Sequence, residues 1–251
     1  MNQKIFTAEK IAGLKNLAMN FLFPLRCHNC LDYLPYQPVK YLCDKCEKKL
    51  YTNICVVCQV CSKKAGANDE APYLCGDCRF KKEPSLKSIS VGKYEGILKN
   101  LIHQLKYSMR QNVSITLGRL LLDFLKNQKI NIDKYHAVIP MPIAEVKKRE
   151  RGFNQTELIS ANFADYYNIP INKKILKRKY NPHPQVALNR RERLINPQDS
   201  FRLAKHCSVK EKSFILVDDV KSTGSTLFFS SKILLDAGAN EVLCVTLANN
   251  A

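Results

Sequence analysis

The stretch Phe214 to Thr226, FILVDDVKSTGST, constrains this chain more than any other. Phe214 to Val217 is a continuous apolar run rich in branched residues, which predicts a short strand buried in a parallel sheet. Two carboxylates, Asp218 and Asp219, are expected at its carboxyl end. A small polar turn follows, Lys221-Ser222-Thr223-Gly224-Ser225-Thr226. Leu227, Phe228, Ile233, Leu234 and Leu235 then sit at helical spacing, and Gly238 supplies a stop. The first N–H groups of a helix have no internal partners and carry partial positive charge, so this junction suits a phosphate. The Ser and Thr hydroxyls add donors, and Gly224 lets the backbone come close. Two carboxylates would repel the same phosphate, which assigns them to sugar hydroxyls or to a nearby metal. The implied ligand is a sugar phosphate. The plainer alternative is a surface turn joining a core strand to a core helix. A nucleotide-binding loop of the Gly-Lys-Ser/Thr kind does not fit, because the glycine spacing is absent.

A chain of 251 residues has room for one sizeable α/β domain and a small module, and an apolar content of 45% can build the core. The expected division is a cysteine-rich module over residues 1–85 and an α/β domain over 86–251. The net charge of +18 calls for an anionic partner such as nucleic acid, phosphates or a membrane surface, unless lysine is simply tolerated everywhere. No apolar stretch is long enough for a transmembrane helix. Lys4, Glu9, Lys10 and Lys15 interrupt the first apolar segment, which excludes a signal-peptide core there. The expected location is therefore cytoplasmic, with the inner membrane reached only through partners. Residues 5–22 predict an amphipathic helix carrying Ile11, Leu14, Ala18, Phe21 and Leu22 on one side, ended by Pro24; docking on the next module is preferred over binding to a membrane surface.

Eleven cysteines in a cytoplasmic chain argue against disulfides. Four Cys-x-x-Cys pairs stand out: Cys27/Cys30, Cys43/Cys46, Cys58/Cys61 and Cys75/Cys78. Each turn places two thiolates on one side of a metal, and a second turn closes a tetrahedron, so four pairs supply two zinc sites. Four thiolates leave no open position, which makes both sites structural. Sequential pairing gives two zinc ribbons and alternating pairing a cross-brace; ribbons are preferred. Cys55, three residues before Cys58, leaves the third pair ambiguous on spacing alone. Cys207 and Cys244 are isolated.

Residues 79–88 read as a linker, followed by a strand near Ser88 to Tyr94. Two helices are expected, Gly96 to Tyr107 and Ser114 to Leu125, with Leu101, Leu105, Leu117, Leu121 and Phe124 among their buried residues. Lys106, near the end of the first, either reaches a phosphate or satisfies the helix dipole. A further strand, His136 to Met141, runs into Pro142 and Ile143, where ligand loops gather in open α/β sheets. The loop continues through Lys147, Lys148, Arg149 and Arg151, and a helix begins near Thr156. Residues 147–193 hold 12 Lys and Arg against 4 acids, an excess that favours an anion-facing surface over a merely solvated one. Arg178 to Pro184 reads as loop, and Arg190, Arg191 and Arg193 follow in a segment expected to act as a lid over a ligand or as a basic flap along a nucleic-acid backbone. The last strand is expected over Glu241 to Leu247.

The strand, acid pair and TGST turn resemble the phosphoribosyl pyrophosphate motif of the type I phosphoribosyltransferases. A cysteine module followed in order by HQLKYS (His103–Ser108), VIPMPI (Val138–Ile143), RERGFNQ (Arg149–Gln155), QVALNRRERLINPQDSF (Gln185–Phe201) and VDDVKSTGST is similar to the ComF family of competence-associated, phosphoribosyltransferase-like proteins, from Cys27 onward. That resemblance implies a type I phosphoribosyltransferase fold. It implies that Asp218 and Asp219, the catalytic candidates, hold the ribose 2- and 3-hydroxyls while Lys221 to Thr226 wrap the 5-phosphate. Met141, Pro142, Ile143, Lys106 and Arg151 are the candidates for pyrophosphate contacts, and magnesium, which favours hard oxygen ligands, would bridge the pyrophosphate and the ribose. It also favours Cys58/Cys61 over Cys55/Cys58. The implied role is handling of single-stranded DNA in natural transformation, with Lys147, Lys148, Arg149, Arg190, Arg191 and Arg193 on the nucleic acid and a DNA-uptake helicase or other competence proteins as partners. A metabolic phosphoribosyltransferase acting on a small base or amine is the alternative. No general base stands out, His136 and His183 included, so whether the chain is an enzyme stays open at this point.

Overall fold

The computed structural model describes residues 25–34, 41–52, 54–80, 87–179, 200–205 and 207–250. In chain order its elements are α1 (Asp44–Tyr51), α2 (Gly76–Arg79), β1 (Lys87–Lys93), α3 (Gly96–Tyr107), α4 (Val113–Asn127), β2 (Ala137–Pro140), α5 (Glu145–Arg151), α6 (Gln155–Tyr167), β3 (Leu176–Arg178), β4 (Phe201–Leu203), β5 (Ser213–Lys221), α7 (Ser225–Asp236) and β6 (Glu241–Asn249). The expected helix at 5–22, most of the linker, and the segment bearing His183, Arg190, Arg191 and Arg193 lie outside the described residues.

The apolar runs pair into one parallel sheet in the order β1-β6-β5-β2. Parallel strands need crossovers, and helices covering both faces allow near-continuous apolar strands. The strand period of two divides the core accordingly. Ile215, Val217, Leu243, Val245 and Leu247 pack with residues of α3, α4 and α6, such as Leu101, Phe124 and Phe163. Phe214, Leu216, Val242 and Cys244 pack on the other side with Leu227 and Leu234 of α7 and with Leu176 and Phe201 of an antiparallel β3–β4 hairpin. The α/β class expected from the sequence is the one observed: a parallel sheet with helices on both faces, preceded by two cysteine clusters. Among the described residues, no helix is long and apolar enough to cross a membrane.

The cysteine module packs onto α3 and α4. Cys27, Leu42, Cys46, Leu50 and Val57 belong to the same apolar cluster as Leu101 and Phe124. Fully buried Gln128 fastens the seam: its side chain accepts from Val57 N at 3.0 Å and donates to the Cys55 carbonyl at 2.8 Å. The Tyr51 hydroxyl donates to Asp123 Oδ2 at 2.6 Å.

Three local expectations are corrected. The strand read as Phe214 to Val217 continues to Lys221, because β6 runs beside it and pairs Asp218 with Thr246 and Lys221 with Asn249. Residues 145–151, expected as loop, form α5; the helix buries no residue, so it carries no apolar periodicity to reveal it. Arg178, the first residue of the segment read as loop, instead ends the strand Leu176–Arg178, which pairs with Phe201–Leu203.

Candidate functional site

The site lies where one strand stops and its neighbour does not. β2 ends at Pro140, opposite Val217, while β5 runs on through Asp218, Asp219, Val220 and Lys221 against β6 alone. The acid pair therefore stands inside the last part of β5, on an edge that β2 has vacated. This is the crevice beyond the carboxyl ends of strands where open α/β sheets place ligands.

Strand alternation sends the two carboxylates to opposite faces. Asp219 follows Ile215 and Val217 toward the helical face. It is buried, accepts from Lys106 Nζ at 2.8 Å and from Gln155 Nε2 at 2.7 Å, and so is neutralised by an ion pair with α3 and tied to the start of α6. Asp218 follows Phe214 and Leu216 toward the hairpin face, where the charge of Arg178 on β3 reaches it. Its Oδ1 accepts from Asp219 N at 2.9 Å. Asp218 keeps some contact with solvent, but the surrounding protein and then the neighbouring Asp219 charge push its carboxyl up to about 7, against the opposing pull of that backbone N–H, Lys106 and Arg178.

Beyond the acids the chain turns at Gly224, the N-cap of α7, with φ +80. A side chain there would be strained, and its Cβ would lie 3.2 Å from Lys221 Cε. Thr223 Oγ1 accepts from Ser225 N at 3.3 Å and pairs with Ser225 Oγ at 2.9 Å. Ser222 and Thr223 are exposed, and Lys221, Gly224, Ser225 and Thr226 are half-buried, so the turn opens to solvent at a helix start.

On the β2 side, the loop 141–144 is anchored from beneath. Met141 N donates to the Val217 carbonyl at 2.9 Å. The Met141 carbonyl accepts from Asn154 Nδ2 at 3.0 Å and Thr156 Oγ1 at 2.8 Å. Asn154 is also the N-cap of α6, its Oδ1 accepting from Thr156 N at 3.1 Å. Pro142 and Ile143 are half-buried in that loop. Arg151 closes α5, donates to Gln155 Oε1 at 3.0 Å and lies 5.3 Å above the Tyr107 ring. Lys147, Lys148 and Arg149 are exposed on α5, with Lys148 at 3.8 Å from Glu157.

The structure thus brings Asp218, Asp219 and Lys106 together, with Arg151 joined to them through Gln155, and places the 221–226 turn and the 141–144 loop at the ends of the adjacent strands β5 and β2. Gln155, Asn154 and Arg178 were not singled out as site residues from the sequence. RGFNQ was the available signal for the first two; nothing local marks Arg178.

The cysteines form two groups by sequential pairing: Cys27, Cys30, Cys43 and Cys46, then Cys58, Cys61, Cys75 and Cys78, with all sulfurs of a group within 4.8 Å of one another. Cys55 lies outside both. The Cys30–Cys43 and Cys61–Cys75 sulfurs are 3.6 Å apart. That is far beyond a disulfide bond and close to the edge of about 3.8 Å expected of a tetrahedron with zinc–sulfur bonds of about 2.3 Å. Burial opposes ionisation of Cys27, but backbone N–H groups of Cys30, Cys43 and Asn29 bring it down to about 7. The same balance, with N–H groups of Cys75, Cys61 and Val60, brings Cys58 down to about 6. Four converging sulfurs, one of them readily ionised, could hold a tetrahedral metal ion in each group.

A cavity of about 560 Å³ lies elsewhere, at the seam between the second cysteine group and the sheet, with Cys55, Val57, Lys64, Gly92, Leu98 and Asn249 on its walls. It includes none of the acid-pair residues.

No family model matches the chain. Among curated proteins, Competence protein F of Haemophilus influenzae is 32% identical over 89% of this chain and 96% of its own length. DNA utilization protein YhgH of Escherichia coli K12 is 30% identical over 82% of this chain and 97% of its own. Competence protein ComFC of Bacillus subtilis is 28% identical over 81% of this chain and 80% of its own. Among solved structures, the purine phosphoribosyltransferase of Pyrococcus horikoshii overlaps 53% of this chain and 70% of its own at 17% identity, with a TM-score of 0.33, a loose overlap that adds nothing to the topology itself. Matched over 89% of its length with Competence protein F, and carrying the cysteine pairs, RGFNQ and VDDVKSTGST in order, the chain belongs to the ComF family.

Proposed function

We propose that this chain binds phosphoribosyl pyrophosphate with magnesium at the carboxyl end of β5, binds single-stranded DNA along its basic surface, and serves the handling of DNA in natural transformation. The observation that carries the reading is the acid pair on a vacated strand edge, followed at once by an open hydroxyl-rich turn at a helix start. The turn from Lys221 to Thr226 would take the 5-phosphate through its N–H groups and hydroxyls. The carboxylates would take the ribose hydroxyls, and the loop 141–144 with Lys106 and Arg151 would face the pyrophosphate. Magnesium, when bound, would neutralise that diphosphate and bridge it to the sugar. Zinc is the proposed metal of both cysteine groups, with a structural role, because four thiolates leave no position for a substrate. The names of the relatives, which speak of competence and DNA utilization, support the biological assignment. So does the net charge of +18.

The test is thermal stability with phosphoribosyl pyrophosphate and magnesium, for the native chain and for Asp218→Asn and Asp219→Asn. Stabilisation of the native chain that is lost in Asp218→Asn supports the reading. An unmoved native melting curve at saturating ligand rejects it.

A further inference from the structure

His103 and Tyr107, on the last turns of α3, form an exposed ledge beside the sugar-phosphate site, which shares with it only Arg151. His103 and Tyr107, one helical turn apart, bring their rings to 4.6 Å at 45°. The Arg151 guanidinium lies 5.3 Å from the Tyr107 centroid. Tyr107 nevertheless remains 64% exposed, and Met109 just beyond it 67%.

Arg151 does not hang free over the ring. Its Nη1 donates to Gln155 Oε1, and Gln155 in turn donates to Asp219, so one face of the ledge is fixed to the acid site through two hydrogen bonds. Lys147 and Lys148, four and three residues before Arg151, lie on the same side of α5. Arg110 follows closely on Tyr107 and is exposed. Planar, exposed rings beside a line of cations are what a single-stranded nucleic acid requires: every base has a face to stack, and its phosphates need positive charge alongside.

We propose that His103, Tyr107 and Arg151 form a stacking platform for an unpaired base of a single strand whose backbone follows α5. The platform is specific to no sequence, because stacking is tolerant of base identity. This rests on the nucleic-acid half of the proposed function and gives it a location.

The chain contains no tryptophan, so Tyr107→Trp provides a lone indole reporter on the platform. Its emission is expected to be quenched by oligodeoxythymidylate and unchanged by dextran sulfate, an anion without bases. In fluorescence anisotropy with labelled oligodeoxythymidylate, Tyr107→Phe should bind as the native chain does. Tyr107→Ala should bind about tenfold more weakly with the same salt slope, since stacking releases no counterions. Lys147→Ala should instead lower the slope. Native-like binding by Tyr107→Ala overturns the platform while leaving DNA binding intact. Absence of DNA binding by the native chain at low salt overturns both. Equal quenching by a free mononucleotide at the same concentration would make the occupant a free base and overturn the assignment to a strand. Should Tyr107→Ala fail to fold, the quenching result decides alone.

Discussion

Lys106 Nζ lies 2.8 Å from Asp219 Oδ1, and both side chains are largely buried, 16% and 7% exposed. This ion pair crosses from the end of α3 to the middle of the site, and it makes the two acids unequal. Asp219 is neutralised and held, whereas among the described residues Asp218 forms no ion pair and feels Lys106 and Arg178 only through space. In the proposed complex Lys106 would have to give up some of that attraction to meet a diphosphate, so ligand binding and the internal pair would compete for one ammonium.

Lys106→Met should be costly for stability, because it leaves a buried carboxylate without its cation. Breaking a buried pair from one side costs about 3–5 kcal/mol. For a chain of this size that lowers the melting temperature by roughly 6–20 °C. Calorimetry should show this without any ligand present. A change of a degree or less would mean that the pair is not formed in solution.

The acid pair also sets a pH dependence. Asp218 has a folded-state value of about 7 against 3.8 for the free side chain. Between those values the folded chain holds a proton that the unfolded chain has lost, so stability should fall as pH rises from about 4 to 7. The facing groups are Asp219, Lys106 and Arg178. Partial solvent contact limits the effect to on the order of 1–2 kcal/mol. Urea midpoints across this range should decline for the native chain and be flatter for Asp218→Asn. The same slope in both proteins would acquit Asp218.

Two equivalents of zinc should be released per chain when the thiols are blocked with a mercurial and the metal is read with a chromogenic chelator. Cys55→Ser should still release two, since Cys55 lies outside both groups. Cys46→Ser and Cys75→Ser should each release one. Retention of two equivalents by either ligand variant would refute the pairing.

Gln128→Ala should loosen the seam between the cysteine module and α4. It strands the Val57 N–H and the Cys55 carbonyl, each costing about 1–3 kcal/mol if water does not replace the lost partner. Hydrogen exchange at Val57 should accelerate in the variant. Unchanged protection there would show that the seam is held by its apolar contacts alone.

What the sequence disclosed followed how local its causes were. The cysteine pairs, the start of β5 and the turn at Gly224 depend on neighbours a few residues apart, and they were legible. The burial of Leu101, Leu105, Leu117 and Phe124 followed from helical spacing alone. By contrast, α5 reads EVKKRER, which has no apolar face to betray a helix. The hairpin strands are three residues each and pair across a long interval of sequence. The apolar spacing after Gly224 marked the helix but not its buried face: Leu227 and Leu234 are buried, while Phe228 and Leu235 are 47% and 42% exposed. Least legible was the inequality of the acid pair. Asp219 finds Lys106 and Gln155 from elements 113 and 64 residues away, and only the sheet's alternation decides which acid meets them.

The central claim is that a phosphorylated ribose sits at the end of β5, and isothermal titration of phosphoribosyl pyrophosphate with magnesium into the native chain tests it most directly. One saturable site should be seen, sharply weakened by Gly224→Val, which strains the turn, and by Asp218→Asn. A native chain that gives no binding heat at several temperatures, or a Gly224→Val protein that binds as the native one does, would contradict it.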